Sequence, residues 1–368
     1  MTYNWQQPDW PDFSYQLIDI EETLFTIAEQ MGHISGVLKT LPENLQVDTL
    51  INVMVSEAIK TSAIEGELLS RPDVMSSVRN NLGLNQKLEP VRDKLSQGAG
   101  ELMVAVRNSY SDPLTVEMLF EWHTLLLGQT TKINTGAWRN HDEPMQVISG
   151  AFGKQKVHFE APPSSKVPAE MIQFINWFND TAPGGNREIK KAPVRSAIAH
   201  LYFESIHPFE DGNGRIGRAI AEKALSQTIG RPVMMSLSQA IEADKKSYYN
   251  ALEKAQRKNE ITGWIRYFVN IVYKAQLSAR ELIDFTLRKA KFLDRYKTDF
   301  NDRQMKAILK MLESPDGFEG GMTTRKYISI TKTSKATATR DMQLLAELGA
   351  LRPEGAGRSV HYFVNFVT

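Results

Sequence analysis

The sequence predicts a mainly α-helical protein with one short β-hairpin and a small α+β module at its C-terminal end. Three observations predict it. Apolar residues recur at three-and-four spacing along most of the chain, as amphipathic helices require. The stretch 140–163 breaks that pattern with two short apolar segments around a glycine-containing turn. Beyond about residue 297 the pattern changes again, to short helices, a Gly-rich loop and a strand-like end. A chain of 368 residues has room for two or three domains of roughly 100–200 residues each. The expected parts are a helical region 1–95, a core 96–297 and a C-terminal domain 298–368.

Taken in order, Leu17, Ile20, Leu24 and Ile27 line one face of a first helix, and Leu50, Val53, Met54, Ala58 and Thr61 one face of a second. Further helices are expected near 91–108, 113–127, 168–180, 191–206, 215–228, 244–258 and 260–297. The hairpin is expected from Met145–Ile148 and Val157-His158-Phe159, with its turn in 149–153. Pro183-Gly184-Gly185-Asn186 reads as a loop. The long helical stretch near 264–297 reads as a connection between domains, followed by helix at 301–313 and a Gly-rich loop at 317–321.

Composition is that of an ordinary soluble globular protein, with 42% apolar and 24% charged residues. A net charge of +1 gives no whole-chain field that argues for nucleic acid or membrane. There is no cysteine, which excludes a disulfide framework and thiolate chemistry. The polar, aromatic N-terminus lacks the basic and apolar regions of a signal peptide, and no apolar run reaches the roughly 18 residues of a membrane span. The expectation is a cytoplasmic protein without a membrane partner. The histidines His33, His123, His141, His158, His200 and His361 show no H-E-x-x-H spacing, so a zinc site finds no support.

Chemistry concentrates in residues 207–218, His-Pro-Phe-Glu-Asp-Gly-Asn-Gly-Arg-Ile-Gly-Arg. Pro208 disfavours helix at His207, so the preceding helix should stop there. Gly212 and Gly214 permit close approach of a ligand, and a new helix should start near 214–216. Backbone N–H groups at such a start form a nest for anionic oxygens. Arg215 and Arg218 lie three apart and can face one anion. Asp211 can hold a hard cation such as Mg²⁺. His207 is the side chain here able to take a proton near neutral pH. Residues 212–217 also fit G-x-G-x-x-G, but a helix precedes them rather than a strand, so a dinucleotide fold is not supported.

The segment resembles the Fic motif, H-x-F-x-[D/E]-G-N-G-R-x-x-R, at every specified position. The resemblance implies a Fic-type helical core with a β-hairpin flap, and AMP transfer from ATP-Mg²⁺ to a Ser, Thr or Tyr hydroxyl of a protein. It implies that His207 deprotonates the hydroxyl, that Asp211 binds Mg²⁺, that Gly212, Asn213 and Gly214 hold phosphates, and that Arg215 and Arg218 neutralise them. Phe209 would anchor the loop from within. The hairpin resembles the flap that aligns a target segment as an added strand, through Val157, His158 and Phe159; an inert surface loop is the alternative. Tyr248 and Tyr249 resemble the adenine-pocket segment, or pack as ordinary helix residues. Thr61 to Gly66, Thr-Ser-Ala-Ile-Glu-Gly, resembles the inhibitory motif [S/T]-x-x-x-E-[G/N]. That implies that Glu65 takes the Arg218 guanidinium meant for the γ-phosphate. Gly136-Ala137-Trp138-Arg139 sits where Fic proteins often carry a G-x-x-R segment; Arg139 supports the site or makes a surface ion pair. Tyr3 to Tyr15 resembles the small helical module preceding some bacterial Fic cores.

From about residue 301 the chain resembles a winged helix-turn-helix, with helices at 302–312, 323–329 and 334–348 and a wing from 351–354 and 359–364. Lys332, Lys335, Arg340 and Arg358 would reach DNA; protein contact or a homodimer is the alternative. Three functions are thus carried forward. The first is a protein adenylyltransferase acting on an unidentified protein or on itself, restrained by Glu65. The second is a deAMPylase using the same site. The third is a DNA-binding regulator whose core senses nucleotide.

Overall fold

A computed structural model describes residues 2–128, 130, 133–150, 156–313, 317–355 and 359–366. Among them the fold is mainly helical, with two separate antiparallel β-hairpins. The chain divides into two compact units. One comprises Met1–Val37 and Gln46–Ala279, the other Leu38–Leu45 and Arg280–Thr368.

In the first unit, α1 (Glu21–Thr40) follows a 3₁₀ turn at Ile18–Ile20, which leaves Leu17 outside the helix. Helix α2 (Glu43–Ile64) ends just before Glu65. Helix α3 (Arg71–Asn81) was not expected; Ser70 caps it by accepting from Asp73 N–H, and Pro72 occupies its first turn. Helix α4 (Lys94–Asn108) starts at the Asp93 cap, and α5 (Val116–Leu127) at the Thr115 cap. Each cap satisfies first-turn N–H groups and so sets the start inside the expected range.

Strands β1 (Gln146–Ser149) and β2 (Lys156–Glu160) form the expected hairpin. Val147 faces Phe159 and Ile148 faces Val157, so His158 is the extra residue of a bulge. Part of the expected turn, 151–155, lies outside the described residues. Helix α6 (Val167–Asp180) leads to the central pair, α7 (Ala192–Ile206) and α8 (Asn213–Ile229). Every residue of α7 is buried, so no polar face marks it in the sequence. Tyr202 of α7 receives Trp10, Phe13 and Phe174 edge-on. The N-terminal aromatic segment is therefore part of this core, and buried Asn4 donates to Ser205 Oγ at 2.8 Å. Helices α9 (Leu237–Glu242), also not expected, and α10 (Lys245–Ala255) follow. Helix α11 (Thr262–Tyr296) begins in the first unit and ends in the second.

The second unit contains α12 (Asp302–Met311), α13 (Thr324–Thr331) and α14 (Lys335–Glu347). Strand β3 (Leu351–Glu354) pairs with β4 (His361–Val364). Asn301 and Gln304 form a capping box at the start of α12, and Ser334 caps α14. Its core gathers Phe285, Phe292, Ile308, Tyr327, Met342 and Leu345. Asp341 is buried but fully used, accepting from Arg303 at 2.9 Å and from Tyr327 at 2.9 Å. Arg358, expected at the hairpin tip, lies outside the described residues.

Candidate active site

Helix α7 stops at His207, whose backbone turns left-handed at φ 52° and ψ 60°. A non-glycine residue rarely adopts that conformation unless its surroundings enforce it. The enforcing group is Arg139. Its buried guanidinium donates to His207 O at 2.8 Å, Pro162 O at 2.6 Å and Ile206 O at 3.3 Å. It thus satisfies carbonyls that the helix end leaves without a partner. Of the two roles open to Arg139, a surface ion pair is ruled out by this burial.

The loop is then pinned from within. Phe209 is fully buried and stacks on the His123 ring with centroids 4.0 Å apart. His123 Nδ1 accepts from Gly136 N–H at 2.9 Å, which leaves Nε2 to donate to Asp211 O at 3.2 Å. Burial lowers the His123 pKa and keeps the ring neutral in this bracing role. The Asn213 side chain is used within the loop, which leaves its backbone N–H at the helix start. The side-chain amide donates to Phe209 O at 2.8 Å and accepts from Phe209 N–H at 2.9 Å, so it staples the loop to itself.

Helix α8 starts at Asn213 after Gly212, and no side chain caps its first turn. Those N–H groups and the positive end of the helix dipole form an anion site. Arg215 and Arg218 project from that turn and are both buried. Neither guanidinium is free. Arg218 donates to Glu65 Oε1 at 2.8 Å, to Thr61 O at 2.9 Å and to Thr61 Oγ1 at 2.7 Å. Arg215 donates to Glu67 Oε2 at 2.5 Å and lies 3.5 Å from Asp211 Oδ1. Burial works to raise the Glu65 pKa, but the Arg218 charge and hydrogen bond outweigh it and the net shift is downward. Gly214 makes the approach of Glu65 feasible, since a Cβ there would stand 2.2 Å from Glu65 Oε1.

The loop and the start of α8 open on a pocket of about 690 Å³. Its walls include Glu65 and His207, Asp211 to Gly214, hairpin residues 145–149 with His158 and Phe159, and Tyr248 and Tyr249 of α10. His207 lines the pocket, with Nδ1 buried on the side of the Glu204 backbone. Tyr248 is buried and its hydroxyl shares a 2.8 Å bond with His200 Nε2. Tyr249 reaches Glu65 Oε2 at 3.4 Å. The three flap residues differ. Val157 is 39% exposed. His158 bridges to Glu253 of α10 at 2.8 Å and to Ser149 Oγ at 2.6 Å. Phe159 is buried edge-on against Tyr3 and presents nothing outward.

Sequence reasoning missed Glu67, His123 and Glu204. Glu67 lies two residues beyond Glu65, but no linear pattern pairs it with an arginine 148 positions away. Glu204 lies three before His207, with Oε2 3.7 Å from His207 Nδ1.

An uncapped helix start and an imidazole thus line one pocket, with two buried guanidiniums on the same helix, the parts that phosphate handling would need. Residues 113–225 match the Fic/DOC family, so the chain carries a Fic domain. Residues 3–84 match a domain of unknown function, DUF4172. Among curated proteins, the chain is 27% identical over 191 residues to the protein adenylyltransferase Fic of Nematostella vectensis, covering 52% of this chain and 36% of that one. It is 25% identical over 241 residues to the protein adenylyltransferase fic-1 of Caenorhabditis elegans, covering 63% and 42%. The chain thus spans well under half the length of these relatives. Among solved structures, a Fic family protein from Desulfovibrio desulfuricans matches with TM-score 0.54 at 19% identity, over 96% of this chain and 98% of that one. Fic-1 from C. elegans matches with TM-score 0.51 at 19% identity, over 73% of each chain. These likenesses establish the fold.

Proposed function

We propose that this protein is an adenylyltransferase that moves AMP from ATP to a Ser, Thr or Tyr hydroxyl of a protein, its own chain included, and that Glu65 restrains it. One observation carries the reading: His207 and the uncapped start of α8 line one pocket, and so does Glu65, which holds the buried Arg218 guanidinium. The protein adenylyltransferase names of the relatives support it.

The residues act as follows. The helix start and Arg215 and Arg218 hold the polyphosphate, with Tyr249 flanking the base. His207 Nε2 takes the proton of the target hydroxyl as its oxygen bonds to the α-phosphorus. The bond from that phosphorus to the bridging oxygen breaks, and pyrophosphate leaves with the electron pair. Such a reaction needs positioning and charge neutralisation more than covalent help. Asp211 fits Mg²⁺: its side chain is 58% exposed at the loop tip, and one or two carboxylates beside phosphates are the donors this ion uses. Bound there, Mg²⁺ supplies positive charge against the phosphates.

The resting geometry is restrained twice over. Glu65 occupies Arg218 and Glu67 occupies Arg215. ATP must displace both carboxylates to gain both arginines. Because Glu65 lines the pocket, it also suits a second reading, in which it holds a water that removes AMP from a modified protein. ATP labelled at the α-phosphate tests the two. Label transferred to protein, more in Glu65→Gly than in wild type, upholds AMP transfer. No label on protein from either chain, together with AMP release from a modified protein that Glu65→Gly abolishes, replaces it with AMP removal.

For the second unit we propose a winged helix-turn-helix that binds DNA, with Lys335 and Arg340 exposed along α14.

A further inference from the structure

Helix α7 is buried throughout, yet His200 and Glu204, and His207 at its end, fall at i, i+4 and i+7. That spacing stacks three ionisable side chains on one face. Glu204 Oε1 is buried without a hydrogen-bond partner, while the buried His200 and His207 rings have backbone groups near Nδ1, those of Gly217 and Glu204. Buried polar atoms of this kind cost stability, and an apolar side chain of similar size would avoid the cost. Packing therefore does not explain a carboxyl at position 204. The neighbouring helix makes room for it. A Cβ on Gly217 of α8 would stand 2.3 Å from Glu204 Oε1 and 3.2 Å from His200 Nδ1. His200 is itself spoken for on its other side by Tyr248.

Glu204 sits beside the His207 imidazole and, like it, lines the pocket. Glu204 Oε2 lies 3.7 Å from His207 Nδ1, close enough to tighten into a hydrogen bond when a substrate complex forms. Burial pushes the Glu204 carboxyl up to about 8. Burial, followed by the nearby Arg139 charge, pushes the His207 imidazole down to about 4. Each group resists charge by itself, and the ionised carboxylate is the form that would favour the imidazolium. The other groups that face them are Arg139 before the hairpin, Glu65 at the end of α2, Asp211 in the loop, Arg218 on α8 and Tyr248 on α10.

We propose that Glu204 is a positioning residue for His207: it accepts from Nδ1–H, keeps Nε2 free as the proton acceptor, and steadies the imidazolium formed when Nε2 takes the target hydroxyl proton. The inference rests on the adenylyltransferase reading. The roles parallel a carboxylate behind a general-base histidine, which fixes tautomer and orientation without itself taking the proton.

The test uses the full chain with Glu204→Gln, which keeps size but loses charge, and Glu204→Asp, which keeps charge. Two measurements are made. The first is a ¹⁵N NMR titration of the His207 ring, assigned by comparison with His207→Ala; it requires no activity. Wild type should show the Nδ1–H tautomer, and Glu204→Gln should lose that preference and lower the imidazole pKa. The sign follows from removing a negative charge that supports the imidazolium. The second is transfer of labelled AMP in the Glu65→Gly background. Glu204→Gln should lower kcat roughly 10²-fold with KM for ATP within about twofold, and move the acid limb of the pH profile to lower pH. Glu204→Asp should recover part of kcat and return the limb towards wild type. An unchanged tautomer and an unmoved limb in Glu204→Gln overturn the proposal. If the tautomer shifts as expected but no chain, Glu65→Gly included, labels protein, the pairing stands and the adenylyltransferase reading fails.

Discussion

The loop 207–218 and the hairpin share one pocket, yet they are held in opposite ways. The loop is pinned at nearly every joint. Phe209 is buried under His123, Asn213 staples the backbone, and Arg139 fixes the helix end. The hairpin is anchored through Phe159 on one side, and through polar bonds from His158 and Arg257 on the other. Ile148 and Val157 stay exposed across from each other. The difference suits the two tasks proposed for them. Groups that stabilise developing charge must be fixed before the reaction, because reorganising them during it costs energy. A surface that aligns an extended target segment can adjust to it, since main-chain bonds supply most of the alignment.

The comparison can be broken most forcefully at the base. His207→Ala should reduce AMP transfer by about 10²–10⁴-fold while leaving ATP binding and thermal unfolding close to wild type. Substantial transfer at neutral pH by that variant, measured with labelled ATP, would remove the loop's claim to the chemistry.

Releasing the loop's arginines should have the next largest effect, in the opposite direction. Glu65→Gly should raise transfer, self-modification included, by more than tenfold, because alignment of the α-phosphorus can be worth about 7–11 kcal/mol at its extreme. Mass spectrometry of the modified protein reads it. Arg218→Ala should abolish the gain, since productive ATP needs that guanidinium. Glu67→Ala should tighten ATP binding by severalfold in direct titration, a smaller effect because the Glu67 side chain is 30% exposed and its pair is partly screened. Equal ATP affinity in wild type and Glu67→Ala would leave Glu65 as the sole restraint.

On the hairpin, His158→Ala should raise KM for the protein target a few-fold and leave KM for ATP unchanged, the signature of lost uniform binding. A fall in kcat instead would mean that the hairpin is part of the fixed machinery. In the second unit, Lys335→Ala with Arg340→Ala should weaken duplex DNA binding of the full chain and flatten its salt dependence. An unaltered salt slope by filter binding would exclude these two side chains from phosphate contact.

Much of this site was legible without coordinates, and the reason differs from residue to residue. The turn at His207 and the helix start after Gly212 follow from Pro208 and the glycines, which act on the local backbone. The partner of Arg218 was legible because Thr61 to Gly66 is a contiguous pattern. Helix α3 was passed over because its buried residues, Val74, Ser77 and Val78, make too short a stripe to stand out. Helix α7 shows little hydrophobic contrast between its faces, since all of them are buried. That the Asn213 side chain bonds to Phe209 was not legible, because a sequence shows that an amide is present, not which neighbour uses it.

By itself, then, the sequence determined what the local backbone dictates: where helices stop, which loop can cradle phosphate, and which acid follows the inhibitory pattern. Tertiary structure decided what each charge meets. It set Glu67 against Arg215, Arg139 against the end of α7, His123 beneath Phe209 and Glu204 beside His207. The physical reason is that φ/ψ preferences and periodicity act over a few residues. The burial and pairing of charges depend on helices far apart in sequence, and only the folded core brings them within a few ångströms.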